Sequence, residues 1–402
     1  MPRILALILA GGRVDELGVL THLRPKSTVP FGGLYRIIDF PLSNLMNSGI
    51  DRVGVLCQYR ASSIVEHIGN GCAWDMVGRD RGVTLLPPFQ GLSASDWYKG
   101  TADAVYQNID FIESIKPELI LILSGDHVYR MDYQDMVAFH LENGAEVTCA
   151  FVEQGDGRRK GPSRFGEARI EEGEDPRGGR LLGYREKPEV PYSKWASMTV
   201  YLFDTNLLLS ALYKNASSES HEFGRDIIPG LLSDGRRLFG YFFRGYWAYS
   251  RTLREYWQAN MDLLGDEPKI DIDSWNIRTN LDHESIRDRG PAILGETARI
   301  EDSRLYNGVR VEGSVKRSIL FPGVVVGEDA VVEDSILFFD TQVAPGAKVS
   351  NTISDICVTV GRDAMVGKKG ADITTLGAGA SILQGTVIAP GESVSPTRGM
   401  RS

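Results

Sequence analysis

Two glycines, Gly11 and Gly12, follow directly on the apolar run Ile4–Leu9. Glycines at the end of a strand let backbone N–H groups come close to a phosphate, and a lysine downstream, here Lys26, can neutralise its charge. A strand-to-helix turn also favours glycine for its backbone freedom, so the pair alone is a weak signal. A second signal of the same kind is Gly125-Asp126, just after the apolar run Leu119–Leu123. The four cysteines, Cys57, Cys72, Cys149 and Cys357, lack the paired spacing of a zinc site or a disulfide framework.

The elements that would position these residues are legible over residues 1–260. Short apolar runs at Ile4–Leu9, Val53–Cys57 and Leu119–Leu123 alternate with helical patterns such as Pro41–Ser48. Strands separated by helices imply βαβ units and a mostly parallel sheet, with ligands beyond the carboxyl ends of the strands. Residues 262–289 turn charged between Pro268 and Pro291 and read as a connector with a short helix. From Ile293 onward the phrases repeat: Ser303, Ser318, Ser335 and Thr352 align at spacings of 15, 17 and 17 residues, the last three followed by Ile319, Ile336 and Ile353. A near-constant period close to three hexapeptides predicts a triangular left-handed β-helix in which each coil covers the next. An ordinary β-sandwich would alternate with period 2 and vary its turn spacing. The expected domains are therefore 1–262, a connector over 263–292, and a β-helix over 293–402.

Composition narrows the function classes. At 402 residues, 42% hydrophobic and 24% charged, the chain reads as a globular protein of two domains. A net charge of −9 leaves no basic footprint for nucleic acid. No run approaches the roughly 20 apolar residues of a membrane helix, and the N-terminal run reads as a buried strand and not a signal peptide. A cytoplasmic location fits these features.

Further motifs appear in order: Arg24-Pro25-Lys26, Phe31-Gly32-Gly33, Arg36-Ile37-Ile38-Asp39-Phe40, Gln58-Tyr59, Trp97-Tyr98-Lys99-Gly100-Thr101-Ala102-Asp103-Ala104, Ser124-Gly125-Asp126-His127, Glu186-Lys187-Pro188, Ala196-Ser197-Met198, Glu222-Phe223-Gly224 and Tyr246-Trp247. In type and order this succession resembles the bacterial ADP-glucose pyrophosphorylases across essentially the whole chain. The resemblance implies an α/β fold with a Rossmann-like nucleotidyltransferase sheet of the GT-A type, mixed in strand direction, followed by a C-terminal left-handed parallel β-helix. It implies transfer of the adenylyl group of ATP to glucose 1-phosphate, giving ADP-glucose for glycogen synthesis, with Mg²⁺ as cofactor. Asp126, Lys26 and Arg13 fall at the catalytic positions, Asp126 also as the metal ligand. Gly11, Gly12, Gln58, Tyr98, Gly100 and Thr101 fall on the nucleotide side. Glu186, Lys187, Ser197, Glu222, Phe223 and Trp247 fall on the sugar-phosphate side, and Arg36 at a regulatory anion contact. The family is usually homotetrameric, so a homotetramer or a hetero-oligomer with a paralogue is expected, through the apolar exterior and end coils of the solenoid.

The chain departs from the family pattern at several of these positions. Where the family reads GGRGTRL, this chain has Glu16 in place of the second arginine; where it reads YWRDVGT, this chain has Tyr249 in place of the metal-sharing aspartate and Arg251 in place of the glycine. Glu222 stands for an aspartate, and Leu23 for a lysine that helps to bind sugar-phosphate activators. A carboxylate facing a triphosphate is repelled, and a phenol is a poor Mg²⁺ ligand. Glu16 and Arg251 could compensate one another as a pair. Two readings stay open: a working adenylyltransferase, and a catalytically impaired regulatory subunit of the same family. A third, acyl transfer on the solenoid, would want a histidine base there, and no histidine lies beyond His283.

Overall fold

The computed structural model describes residues 2–12, 15–88, 97–154, 161–282 and 286–397. Nine strands build one sheet: β1 (Ile4–Leu9), β2 (Arg52–Leu56), β3 (Gly82–Leu86), β4 (Leu119–Ser124), β5 (Val147–Glu153), β6 (Glu167–Ile170), β7 (Gly178–Arg185), β8 (Trp195–Asp204) and β9 (Leu238–Phe243). Their order across the sheet is β3-β2-β1-β4-β8-β5-β9-β7-β6. The first four are parallel, as the strand–helix alternation predicts. Of the rest only β7 and β8 are reversed, so the sheet is mostly parallel yet mixed, as expected: β8 runs antiparallel to both β4 and β5, β7 is antiparallel to β9 and β6, and β9 is parallel to β5. The reversed strands come from the short β6–β7 hairpin and the insertion of β8, after which helices Thr205–Asn215 and Ile228–Ser233 bring β9 back parallel to β5.

Strand β1 explains why the first half reads as unbroken apolar runs. Its side chains alternate between two cores, Leu5 and Leu7 on one face and Ala6 and Ile8 on the other, and a strand covered on both faces has no polar side to show. Helices such as Asp39–Asn47 and Ala61–Ile68 lie between the parallel strands in sequence. All the parallel strands therefore point their carboxyl ends the same way.

Residues 293–394 form three six-stranded parallel sheets, each taking one short strand from every coil of a solenoid. The period has a hydrogen-bond cause. Three of the four aligned hydroxyls accept the backbone N–H one coil later, Ser318 on Ser303 (3.1 Å), Ser335 on Ser318 (3.1 Å) and Thr352 on Ser335 (3.2 Å). All four donate to the carbonyl two residues back, at 2.7 to 2.9 Å. A small hydroxyl residue can do both at a corner too tight for a larger one. The residue before each corner, Asp302, Arg317, Asp334 or Asn351, is left-handed (φ 42 to 52°).

The two bodies share a core. Val311, Val326, Val343 and Val360 fill the inside of the solenoid, whereas Ile319, Phe321, Ile336, Phe338 and Ile353 point outward and pack on Leu17, Leu20, Phe31 and Tyr256 of the first body. Part of the apolar exterior is thus covered by the chain's own N-terminal region. The connector departs from its expected short helix. Among its described residues no helix forms, and Leu263, Ile270, Ile272 and Ile277 are buried in the shared core. The helix Leu253–Met261 leads into it, started by a capping box in which Thr252 and Glu255 exchange side-chain-to-backbone bonds, a device worth about 1 kcal/mol.

Candidate active site

The carboxyl ends of β1, β2 and β4 open onto a cavity of about 490 Å³. Of the residues singled out from sequence, Gly11, Gly12, Lys26, Gln58, Tyr98, Gly100, Thr101 and Asp126 line it from one side. Glu186, Lys187, Ser197, Glu222 and Phe223 line it from the other. Arg13 lies outside the described residues.

The two loop glycines differ in what demands them. A Cβ on Gly11 would sit 2.7 Å from the Gln58 backbone nitrogen, so packing of the loop on the end of β2 requires glycine. A Cβ on Gly12 would meet no described atom within 4 Å, so packing of the described chain does not demand glycine there. Ser27 ties the returning loop back to β1 by donating to the Ala10 carbonyl (3.1 Å).

Lys26 and Asp126 meet at the centre. The ammonium donates to Asp126 Oδ2 at 2.9 Å and lies 4.0 Å from the centroid of the Tyr249 ring. Lys26 is 1% exposed, against 20% for Asp126. Burial lowers the Lys26 pKa from its ordinary value, with Asp126 opposing. Burial by itself would raise the Asp126 carboxyl, but Lys26, then His127 and the Ser124 hydroxyl, outweigh it and hold the group well below the usual carboxylate range. Asp126 is thus an anion and Lys26 its buried counterion. Burial, then Asp126, pushes the Tyr249 phenol up to about 12, so it is neutral.

On the nucleotide side, Gln58 Oε1 accepts the Tyr98 backbone N–H at 2.5 Å. The Tyr98 hydroxyl donates to the Leu86 carbonyl (2.9 Å) and accepts from Asn108 (3.0 Å). Its polar end is therefore committed, and its ring is what remains to face a ligand. Opposite, Tyr184 donates to Glu186 Oε2 (3.1 Å), and Gly224 leaves room for that carboxylate, since a Cβ there would stand 2.2 Å from it. Lys187 is left-handed (φ 43°) and half exposed beside Glu186 (3.8 Å); a lysine held in that region is strain that the surrounding fold must maintain. Ser197 is buried and shares a 3.2 Å contact with the Tyr201 hydroxyl.

Glu222 lines the cavity while committed within the fold, Trp247 does not line it, and Arg36, expected at a regulatory contact, lies elsewhere. Glu222 Oε2 accepts from the Thr101 backbone (3.2 Å) and hydroxyl (2.6 Å); much of its carboxylate serves the positive end of the helix Thr101–Tyr106. Trp247 was expected against the sugar, yet it stands behind the wall. Its indole donates to His127 Nδ1 (3.3 Å) and it stacks near-parallel on Tyr249 at 6.3 Å, because its strand pairs with Val128–Tyr129 below the cavity floor. Arg36 lies away from the cavity, bonded to the Thr28 carbonyl and Ser63 hydroxyl (both 3.3 Å); burial, then neighbouring Arg24, lowers its pKa to about 10, still a cation.

The cavity also gathers residues that sequence reasoning missed. Arg164 lines it while ion-paired with Glu255, and Arg225 lines it from the turn after Phe223. Arg225 could have been read from its place beside Glu222-Phe223-Gly224; Arg164 had no local signal. The anticipated partnership of Glu16 and Arg251 is present, both Nε and the terminal nitrogen lying 2.7 Å from Glu16 Oε1.

A strand-end phosphate loop with a buried lysine and a carboxylate, on a mixed sheet joined to a β-helix, defines a nucleotidyltransferase. The nucleotidyl transferase family model matches residues 5–266, and that of the GlmU-like C-terminal hexapeptide matches residues 293–374, which makes the solenoid a left-handed β-helix. Glucose-1-phosphate adenylyltransferases are similar along nearly the whole chain. That of Desulforamulus reducens is 39% identical over 96% of this chain and 94% of its own, and that of Desulfitobacterium hafniense 40% over 97% of each. That of Clostridium perfringens is 44% identical over 85% of this chain and 84% of its own. The chain belongs to the glucose-1-phosphate adenylyltransferase family. Among the described residues no helix is long and apolar enough to cross a membrane.

Proposed function

We propose that the chain joins the adenylyl group of ATP to glucose 1-phosphate, releasing pyrophosphate. The observation that carries this reading is that one cavity gathers a phosphate loop, the Lys26–Asp126 pair and the Glu186–Lys187–Ser197 wall, in a chain similar throughout to adenylyltransferases. A phosphate oxygen of the sugar attacks the α-phosphorus; the bond from that phosphorus to the bridging oxygen breaks, and the electron pair leaves with pyrophosphate. Most of the catalysis in such a transfer is positioning and charge stabilisation. Lys26 offers fixed positive charge beside the Gly11–Gly12 loop. Lys187 is placed for the sugar's phosphate, and Glu186 and Ser197 for its hydroxyls. The ring of Tyr98, with Gln58, Gly100 and Thr101, forms the base side.

A divalent cation fits this donor set in one way. Among the described residues no three His, Cys, Asp or Glu side chains cluster as a metal site, and of the carboxylates lining the cavity, Asp126 is the one paired with Lys26. Mg²⁺ commonly takes one or two carboxylates and completes its shell with phosphates and water, so Asp126 would hold it together with the substrate. When bound, it would neutralise charge on the phosphates.

The neutral Tyr249 and the closed Lys26–Asp126 pair favour a second reading, a subunit that binds these ligands and modulates an active paralogue. Pyrophosphate release by the purified chain with ATP, glucose 1-phosphate and Mg²⁺ separates them. Turnover by the chain alone supports the first reading. Silence, relieved by Glu16→Arg with Tyr249→Asp, supports the second.

A further inference from the structure

Around Lys26 and Tyr249 each described cation already has a carboxylate. Lys26 is paired with Asp126, Arg164 with Glu255, and Arg251 with Glu16. Among the described residues, a polyphosphate that engages one of these three cations must compete with the carboxylate already paired to it. Asp126 is buried and held by Lys26 and Ser124. Glu255 is locked by the capping box, accepting the Thr252 N–H at 3.0 Å. Glu16 is the least committed: 43% exposed, it is held by Arg251 and a backbone N–H of its own residue.

Arg251 is built to stay in place when Glu16 leaves. Its backbone N–H donates to the Tyr249 carbonyl at 2.7 Å, and the next residue, Thr252, caps the helix Leu253–Met261. Ser250 before it is fully buried. The Arg251 side chain is 30% exposed and bonded to Tyr249, whose ring lies over Lys26. A phosphate offers the planar guanidinium fork two oxygens in matching geometry, and an ion pair as exposed as this one is easily exchanged.

We propose that Arg251 receives the terminal phosphates of the nucleotide, and that Glu16 is an internal carboxylate that occupies Arg251 until they arrive. This rests on the adenylyltransferase reading and adds to it a phosphate ligand on the turn after Tyr249, with its built-in competitor on the loop.

The test is calorimetric titration of the full chain with inorganic pyrophosphate in Mg²⁺, beside ADP-glucose, which lacks the departing phosphates. Glu16→Gln tightens pyrophosphate about threefold, the worth of an exposed pair. Arg251→Gln weakens it about tenfold, the lower end for a charge-assisted bond, and in that background Glu16→Gln changes nothing further. Arg251→Lys, which keeps the charge without the fork, lies between. ADP-glucose binding stays at the parent value in all. Unaltered pyrophosphate affinity in Arg251→Gln, or no tightening in Glu16→Gln, overturns the proposal. A parent chain that binds ADP-glucose but not pyrophosphate overturns it while leaving the adenylyltransferase reading intact; one that binds neither overturns both.

Discussion

Residues 15–26 are held at their two ends by ion pairs of opposite character. Near the end of the loop, Arg24 meets Asp355 of the solenoid at 2.9 and 3.0 Å, with the side chains 2% and 0% exposed. Near the start, Glu16 meets Arg251 at 2.7 Å with 43% and 30% exposed. The distances are alike and the surroundings are not. A buried pair is held by the desolvation that separating it would leave unpaid by water, so it behaves as a bolt. An exposed pair has water as a ready substitute for either partner. The loop is therefore fixed to the β-helix two residues from Lys26 and left exchangeable where it faces the phosphate end of the cavity.

The largest effect should come from breaking the bolt on one side. Asp355→Asn leaves Arg24 charged and buried without its counterion, and should cost about 3–5 kcal/mol in urea or thermal denaturation. Replacing both partners by apolar residues, Arg24→Met with Asp355→Leu, should recover most of that loss. A single change costing under about 1 kcal/mol would show that the pair is no bolt, and the contrast with Glu16–Arg251 would collapse.

How much of this was legible in sequence depends on the distance between partners. The coil period was visible because each coil repeats the same hydroxyl corner, so Ser303, Ser318, Ser335 and Thr352 announce themselves one after another. The strand-end residues Gly11, Gly12 and Asp126 were visible because the apolar strand and the polar turn adjoin. Arg24 and Asp355 are 331 residues apart, and no local pattern links them. The two reversed strands came only with the family resemblance and not from local pattern, for the same reason: β8 inserts between β4 and β5, strands that precede it. The facing of Trp247 was missed because its sugar-side place came from the family pattern and not from any local signal, whereas its strand pairs with Val128–Tyr129.

A smaller effect should sharpen the buried side of the comparison. His67 is buried against Asp39 at 2.5 Å, near Arg36 and Glu66. Burial lowers its pKa below 6.5, with Asp39 opposing and Arg36 adding to the shift. A folded-state pKa below the unfolded one means that the unfolded chain takes up the proton first, so stability is full above about 6.5 and declines as pH falls through that value. The slope from this group is at most about 1.4 kcal/mol per pH unit. Denaturation midpoints of the parent and of His67→Gln between pH 7 and the onset of carboxylate titration should differ in slope in that sense, the variant being flatter. Parallel slopes would mean that burial leaves His67 unshifted, and a parent more stable toward low pH would mean that His67 is protonated when buried, as an ion pair with Asp39.

The smallest effect belongs to the exposed pair and tests the comparison from its other side. Glu16→Gln and Arg251→Gln should each cost no more than about 0.2–1 kcal/mol of stability, because the partner left behind is solvated and not stranded. Salt distinguishes the two pairs further. At about 1 M ionic strength the screening length shrinks to about 3 Å, which should erase the small defect of either variant while leaving the Asp355→Asn defect largely in place, since no ion reaches a pair that water does not. If Arg251→Gln instead destabilised the chain as strongly as Asp355→Asn, and did so at high salt, the pair would be part of the framework. Glu16 could not then be exchanged for a phosphate, and the loop would have two bolts in place of one bolt and a latch.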